Sequence, residues 1–541
     1  MNVNKTTHVE YTQYETGRQL KLPIDTEVFI AADDPVRLVS AVVERMELKN
    51  IERSYSRYGR IEYSPRILLK ILVYGYTRKI YSSRELERAC RENVCFMYLL
   101  EDHPAPDHNT IARFRADHLV GREQELLAQC VAMLQEMGFI SMEHVFIDGT
   151  KIEASANKYT FVWRKGTEKK LQKLQEKMKA ELPGLLEGTS IRWRIPNELQ
   201  VRHIKKLRKK LYAKATEIGL KMVHGKGTRK HPLQRAIETV EDWLARLKKY
   251  MGDLHICGDR NSYCKTDHDA TFMHMKEDHM RNGQLKPGYN VNVATSEEFI
   301  IGNYISSDRS DTNTLIPFME QIKHYNIRNV CADAGYESEE NYCYFEGLET
   351  ELYVKPSNHE IRKKKKYKTD ISRRENMAYD AKNDVYICAG GKELTYEYTK
   401  HEKTTTGFET EKSVYVCHEC QGCPLKAQCI KSKSKKPLEE RSKVVYVSKR
   451  FAKQREAMEE KINTEKGKLI RVNRSIQAEG VFAMTKEDMG FRRFMLRGTV
   501  KVEVEWTLLS LAYNILKLHH KAKNKRLGTG LVIPKAFPAG L

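Results

Sequence analysis

Two short apolar runs, far apart in the chain, each lead into an aspartate. Residues 144–147 lead into Asp148, and residues 329–332 lead into Asp333; a glycine follows each acid within two positions. Apolar runs of this length predict buried strands, and glycine lets the backbone turn sharply where a strand ends. Carboxylates at the ends of neighbouring strands converge, and such a cluster normally requires divalent cations. The alternative is that each acid only forms part of a strand-terminating turn.

The segments around these runs predict a mixed sheet with helices packed on it. Residues 288–294 and 299–305 are apolar stretches separated by a tight polar turn, which indicates a hairpin. An amphipathic helix over residues 312–324 and a further strand over residues 351–354 follow. Three early strands, a helix, and then alternating strand and helix are typical of an α/β fold.

Residues 35–138 have a helical pattern instead. The apolar positions of residues 64–80 recur at intervals of three and four, as a buried helix requires. Asp107 precedes a helix whose exposed face is expected to carry Arg113 and Arg115. Short helices joined by tight turns, one of them bearing arginines, predict a helix-turn-helix-like unit that binds DNA. The alternative is an ordinary helical domain.

Two insertions interrupt the α/β pattern. Residues 165–251 are helical, and their charge is too high for a core of their own, so they are expected to form an inserted arm with a cationic or merely solvated face. The basic run at residues 362–366 opens a polar, cysteine-bearing section. The predicted division is an N-terminal arm (1–34), a helical DNA-binding domain (35–138), a catalytic core (139–156, 257–355 and 446–525), a helical insertion (157–256), a basic cysteine-containing insertion (356–445) and a basic tail (526–541).

The charge balance indicates a polyanionic partner. Lys and Arg together number 94 against 72 Asp and Glu, which gives a net charge of +22. Such an excess favours nucleic acid over an anionic membrane, and the sequence has no run of about 18 apolar residues that could cross a bilayer. The 12 cysteines are scattered and do not indicate a disulfide framework, so a cytoplasmic location is expected.

Glu479 is the candidate third acid. It lies in a predicted helix, and Lys486 follows seven residues later. At about 100° per residue, this spacing places both side chains on one helix face. A metal-directed carboxylate would then lie near a cation suited to a DNA phosphate. The alternative is an exposed helical charge pair.

Four cysteines lie close together in the basic insertion, namely Cys417, Cys420, Cys423 and Cys429. In a cytosolic protein, thiolates at such spacing indicate a soft metal, either a structural Zn²⁺ or an iron–sulfur cluster. Cys388 or His418 could replace one of these ligands. The alternative is a group of reduced thiols that pack an inserted hairpin.

Four motifs resemble the DDE-class transposases of bacterial insertion sequences, in the branch related to the IS-four and IS-five groups. FIDGTKIEA contains Asp148, ADAGYES contains Asp333 and RSIQAEGVFAMTKEDMGFRRF contains Glu479, while PDHNTIARFR is similar to a signature of the helical N-terminal domain of those proteins. The resemblance implies an RNase H-like core in which these three acids hold two Mg²⁺ (or Mn²⁺).

The resemblance departs from the family pattern before Glu479. Related families carry a tyrosine and an arginine seven and four residues before the glutamate, and here those positions are Val472 and Ser475. Arg474 lies one residue further out, about 140° from Glu479 on an ideal helix, so it converges with Glu479 only if the helix begins after it. Lys486 matches the family lysine. Glu505 is the fallback third acid.

The resemblance implies a transposase that binds the terminal inverted repeats of its own element, cuts the DNA and joins the ends to target DNA. Lys486, Arg474, Arg113 and Arg115 would contact the DNA, and the chain would form a homo-oligomer on it, near the bacterial nucleoid. Two other functions remain open. One is a catalytically inactive DNA-binding protein derived from a transposase, and the other is a metal-dependent nuclease without strand transfer.

Overall fold

The computed structural model describes residues 25–55, 62–157, 159–224, 229–275, 285–432, 434 and 436–524. Most of the predicted N-terminal arm (1–34) and the whole basic tail (526–541) therefore lie outside the described residues. No helix among the described residues is long and apolar enough to cross a membrane.

The first part of the chain is helical, as its periodicity predicts. Asp34, Ser64 and Asp107 each accept a hydrogen bond from a backbone N–H at the start of a helix, which satisfies donors that the helix leaves free. The helices are α1 (Pro35–Arg45), α2 (Lys49–Glu52), α3 (Pro65–Thr77), α4 (Ser83–Glu92), α5 (Val94–Leu100), α6 (His108–Arg113) and α7 (Glu123–Glu136). A π-helical turn, Phe114–His118, continues α6.

The charged insertion has a core of its own, contrary to the sequence prediction. Three helices, α8 (Arg164–Glu187), α9 (Val201–Glu217) and α10 (Pro232–Cys257), follow strand β1 (His144–Glu153) and the short strand β2 (Phe161–Trp163). Leucines spaced along each helix pack around the buried Trp243. High charge did not prevent this core because the charged residues occupy the outer faces of amphipathic helices.

A mixed sheet forms the centre of the fold. Its further strands are β3 (Ser262–Cys264), which pairs with β2 outside the sheet, β4 (Thr271–His274), β5 (Leu285–Ser296), β6 (Phe299–Ser306), β7 (Asn329–Ala332) and β8 (Glu351–Val354). The order is β4-β5-β1-β7-β8, with β6 also paired to β5. β1 is antiparallel to β5 and parallel to β7, and β7 is parallel to β8. Helices α11 (Leu315–Ile322) and α12 (Glu339–Glu346) connect the later strands.

The cysteine-bearing section forms a second sheet. After two short helices, α13 (His359–Lys363) and α14 (Lys365–Lys368), the strands are β9 (Ala378–Asp380), β10 (Val385–Ile387), β11 (Glu393–Lys403), β12 (Glu409–Val416) and β13 (Val444–Val447), with helix α15 (Lys426–Cys429) between the last two. Neighbouring strands pair in the order β13-β12-β11-β10-β9.

Three helices complete the chain, α16 (Lys449–Asn463), α17 (Glu465–Ala483) and α18 (Thr499–Lys523). A π-helical turn, Met484–Asp488, continues α17. α17 packs on β1, β5, β7 and β8, whereas α18 packs on β6, α3 and α7. Because α18 is buried along most of its length, it joins the N-terminal helices and the central sheet in one hydrophobic core.

Candidate active site

The register of the central sheet places Asp148 and Asp333 side by side. Residues 144–147 of β1 pair in parallel with residues 329–332 of β7, and the last pair is Ile147 with Ala332. The next residue on each strand is an aspartate. Parallel strands in register bring equivalent residues to the same edge, so the two acids are neighbours where this pairing ends.

The reason for the glycine after each acid differs from the prediction. β1 does not turn at Gly149 but continues to Glu153, paired with β5. A Cβ at Gly149 would lie 2.9 Å from the hydroxyl of Tyr336, and one at Gly335 would lie 3.2 Å from a carboxylate oxygen of Asp311. Glycine is therefore needed at both positions because other groups approach the backbone closely.

A small apolar cluster sets the position of Glu479. Phe146 of β1, Cys331 of β7 and Tyr353 of β8 pack against Ile470 and Ala478 of α17. Side chains alternate along a strand, so the residues two positions after Phe146 and Cys331, which are the two aspartates, face the same helix. Glu479 follows Ala478 directly, and α17 therefore carries it to the acids.

Arg474 joins the three acids. One guanidinium nitrogen lies 3.3 Å from Glu479 and 3.9 Å from Asp333, and the other lies 3.7 Å from Asp148. Arg474 and Glu479 both lie within α17. The sequence argument had required the helix to begin between these two residues, and it does not. The long arginine side chain reaches round the helix instead. The three predicted acids thus converge on one cation.

The acids differ in their exposure. The side chain of Asp148 is 10% exposed, whereas those of Asp333 and Glu479 are 47% and 58% exposed. The backbone N–H of Gly149 donates to Asp148 at 2.8 Å and helps to fix its carboxylate. Asp148 is accordingly the fixed inner member of the cluster, and the other two acids face the solvent from which a substrate would approach.

A hydrogen-bonded group that the sequence did not single out lies beneath the acids. The hydroxyl of Tyr336 donates to Asn292 at 2.6 Å, and Asn290 donates to Asp311 at 2.7 Å. Burial, and then the charges of Asp311, Asp148 and Asp333, raises the pKa of Tyr336 well above its usual value. Tyr336 therefore stays a neutral donor. Its position in ADAGYES was a usable signal, whereas Asp311 lies in an ordinary polar loop.

The spacing argument placed Lys486 on the same helix face as Glu479, but the structure places this lysine beyond the end of α17. It belongs to the π-helical turn after α17 and is only 6% exposed. Its ammonium donates to the hydroxyl of Thr150 at 2.6 Å, two residues after Asp148 on the same face of β1. The lysine is thus close to the acids, but it is held against the strand rather than displayed on the surface.

Glu505 is separate from the acid cluster. It is fully buried in α18 and accepts hydrogen bonds from the backbone N–H groups of Met495 and Leu496 at 2.9–3.0 Å. Burial raises its pKa, against the opposing charge of Arg115. Glu505 therefore holds the loop before α18.

Arg115 is buried, so its predicted place on an exposed DNA-binding face is wrong. It is 4% exposed and donates to the carbonyl of Tyr81 at 2.8 Å and the hydroxyl of Tyr76 at 3.3 Å. Arg113, two residues earlier at the end of α6, is exposed. Arg115 therefore has a structural role, whereas Arg113 lies on the surface.

The predicted cysteines lie together, along with one more. Cys388 lines the same small cavity as Cys417, Cys420, Cys423 and Cys429. All five are free thiols. His418, the other suggested substitute, is exposed and lies 3.0 Å from Glu397.

These side chains are of the types that bind metal ions, but they are not in a metal-binding arrangement. Two aspartates and a glutamate offer the oxygen ligands that Mg²⁺ prefers, and the bridging guanidinium of Arg474 already offsets part of their negative charge. Among the residues that the structure describes, no group of three or more His, Cys, Asp or Glu side chains is arranged closely enough to hold a metal ion. Both the acids and the thiols would have to rearrange on binding.

Two family comparisons match separate parts of the chain. Residues 24–117 match a family described as a transposase domain (DUF772), and residues 387–519 match the transposase DDE domain. Both families are transposase families, and the two matches support placing the chain among the insertion-sequence DDE transposases. Neither family description specifies a subgroup, so the suggested branch stays a prediction.

The matched segments cover only some of the candidate residues of this chain. Glu479, Arg474 and the five clustered cysteines lie within residues 387–519, and Arg113 lies within residues 24–117. Asp148 and Asp333 lie outside both, so their assignment depends on the sheet register and on Arg474. The searches of curated proteins and of solved structures found no match.

Proposed function

We propose that this transposase binds the terminal inverted repeats of an insertion sequence, cleaves the DNA in a Mg²⁺-dependent reaction and transfers the cut strands to target DNA. The observation that carries the proposal is the convergence of Asp148, Asp333 and Glu479 on the guanidinium of Arg474. A purely DNA-binding protein has no reason to gather three acids beside a surface that must receive phosphates. This argues against the catalytically inactive alternative.

The sheet supports an RNase H-like reading of the catalytic core. β1 lies between an antiparallel strand, β5, and a parallel strand, β7, and two candidate acids lie where the pairing of β1 with β7 ends. α17 covers the same face and supplies the third. The proposed core therefore takes its acids from two adjacent strands and one late helix.

Asp148, Asp333 and Glu479 are the proposed ligands of two Mg²⁺, or of Mn²⁺. Bound there, such ions activate a nucleophilic hydroxyl and stabilise the leaving oxygen of a phosphodiester. Asp148, which Gly149 holds in place, fixes the inner position. Arg474 compensates the charge of the cluster until a cation and a DNA phosphate arrive, and it is then free to pair with that phosphate.

The proposed DNA contacts use the cationic excess of the chain. A net charge of +22 supplies sequence-independent attraction to phosphates. Arg113, on the exposed end of α6, is the proposed contact to the element ends, and Lys486 is the proposed contact to a phosphate beside Asp148 once it leaves Thr150. Because a single reaction must engage element ends and target, we also propose that the protein acts as a homo-oligomer on double-stranded DNA.

The test is a paired measurement on Asp148→Asn and Asp333→Asn. Each change keeps the size of the side chain and removes the charge that holds Mg²⁺. Cleavage and joining should fall by orders of magnitude, while gel-shift affinity for the terminal repeats should hardly change, since binding depends on cations elsewhere. Cleavage at the wild-type rate in either variant would overturn the assignment. A labelled element end that is cut but never joined to a plasmid would favour the nuclease alternative.

A further inference from the structure

The sheet formed by β9–β13 has little apolar material to hold it together. Its buried cluster consists of Met377, Tyr386, Leu394, Tyr415, Cys417, Cys420, Val445 and Val447. Most side chains of β11 are exposed. Small folding units with so limited a core are usually stabilised by a disulfide or a structural metal. All cysteines of this section are free thiols, which leaves a metal as the candidate.

The thiols come from two separate loops that face one cavity. Cys388 lies in the tight turn between β10 and β11, where its carbonyl accepts from the N–H of Gly391 at 2.9 Å. Cys420, Cys423 and Cys429 lie in the segment between β12 and β13. A Cβ at Gly390 would lie 3.6 Å from the sulfur of Cys423 and 3.7 Å from that of Cys388. The two loops therefore present their sulfurs to the same place.

Three lysines and a backbone donor lie beside the thiols. Lys392, Lys426 and Lys443 line the same cavity, and the backbone N–H of Lys443 points at the sulfur of Cys420 from 3.3 Å. Backbone donors and nearby cations stabilise sulfur ligands that carry negative charge. The cavity measures about 20 Å³, which is room for one water-sized species.

We propose that Cys388, Cys420, Cys423 and Cys429 bind one structural Zn²⁺, and that Cys417 is not a ligand. The thiol of Cys429 interacts electrostatically with each of the other three proposed ligands. Cys417, at the end of β12, is 1% exposed, against 9% for Cys420, and the other three thiols are partly exposed. Cys417 interacts with Cys420 and Cys388. This set replaces Cys417 of the sequence prediction by Cys388. Zinc would tie the β10–β11 turn to the segment before β13, and side-chain rotation would complete the site.

The experiment measures zinc in the full-length protein, purified without chelator and supplied with Zn²⁺, and it does not depend on the transposase activity. Wild type and Cys417→Ser should each contain about one zinc per chain, and Cys388→Ser and Cys429→Ser should contain almost none. Cys95→Ser, in the distant helix α5, is the matched control and should keep its zinc. Absence of zinc from the wild type, or iron with visible absorbance in its place, would overturn the proposal. Loss of zinc from Cys417→Ser with retention in Cys388→Ser would restore the sequence-based set.

Thiol titration gives a second readout that does not require the ligand variants to fold. A chelator should make four additional thiols reactive in the wild type, in line with a tetrahedral site. It should expose the same number in Cys417→Ser, because that variant keeps every proposed ligand. One fewer in Cys417→Ser would show that Cys417 belongs to the site and would overturn the assignment.

Discussion

The guanidinium of Arg474 lies 3.3 Å from the carboxylate of Glu479, although the two residues are five positions apart in one continuous helix. The same guanidinium reaches Asp148 and Asp333. It therefore stands among the three acids in the place where divalent cations are proposed to act. Its single positive charge offsets part of the charge of three carboxylates before any metal arrives, and a metal must compete with an internal cation.

Replacing Arg474 by Gln should lower the Mg²⁺ concentration that stabilises the protein. Without the guanidinium, the acids repel one another, and Mg²⁺ meets no competing cation, so the half-effective concentration should fall roughly three- to tenfold. Thermal unfolding across a Mg²⁺ titration measures this. Lys468→Gln, an exposed change on the same helix, should leave the titration unchanged. An equal or higher Mg²⁺ requirement in Arg474→Gln would show that the arginine does not compete.

Glu479→Gln and Glu505→Gln should have opposite effects. Glu479 lies in the acid cluster and is exposed, so its change should abolish cleavage and cost little stability. Glu505 is buried and holds the loop at residues 495–496, so its change should lower the unfolding temperature while the folded fraction still cleaves. Strand cleavage and thermal unfolding on both variants provide the comparison. Cleavage lost only with Glu505 would reinstate it as the third acid.

The strands around the acids were predictable because their pattern is local. Four-residue runs with three apolar residues each predicted β7 and β8 at their observed bounds, and the hairpin of β5 and β6 followed from its turn. The convergence of Asp148 and Asp333 followed from strand logic alone. What the sequence could not show was that β1 continues past Asp148, because its second half pairs with β5 only through the tertiary fold.

The errors at Arg115 and Lys486 have one physical cause. Each was placed on a face of a regular α-helix, yet each lies in a π-helical turn that continues an α-helix, at Phe114–His118 and Met484–Asp488. A π-turn holds an extra residue and changes the direction of every side chain after it. Such turns are common at functional sites, but the periodicity of a single sequence does not reveal them.

Arg115→Ala should therefore lower the stability of the protein, whereas Arg113→Ala should weaken DNA binding. Loss of the buried Arg115 removes its bonds to Tyr76 and Tyr81 and leaves Glu505 without its opposing charge. This should cost on the order of 3 kcal/mol of unfolding free energy. Arg113→Ala should leave stability within about 0.5 kcal/mol and weaken binding to the element ends. Thermal unfolding and gel shifts separate the two, and unchanged DNA binding in Arg113→Ala would remove this residue from the interface.

DNA binding should weaken steeply as salt concentration rises. Lys and Arg contacts to phosphates release condensed counterions, so six to ten such contacts predict an affinity loss of about 10³–10⁵ between 50 and 200 mM salt. Fluorescence anisotropy on a terminal-repeat duplex measures the slope. A random duplex of equal length is the control and should show a similar slope with lower affinity. A nearly flat dependence would contradict a phosphate-driven interaction.

The stability of the protein should depend on pH through two neighbouring carboxyl groups, Glu503 of α18 and Glu123 of α7. Burial, together with the charge of Glu123, raises the pKa of Glu503 from 4.5 to about 7. Between these values the folded state holds a proton that the unfolded state has released, so this residue's contribution to stability is lost as pH rises through that window.

Glu503→Gln removes the titration. On going from pH 5.5 to 8, wild type should lose about 1–2 kcal/mol more than this variant, allowing for partial exposure to solvent. Thermal unfolding at both pH values measures the difference, with the exposed Glu411→Gln as the control that should follow wild type. Equal losses in wild type and Glu503→Gln would show that the pair does not govern this region.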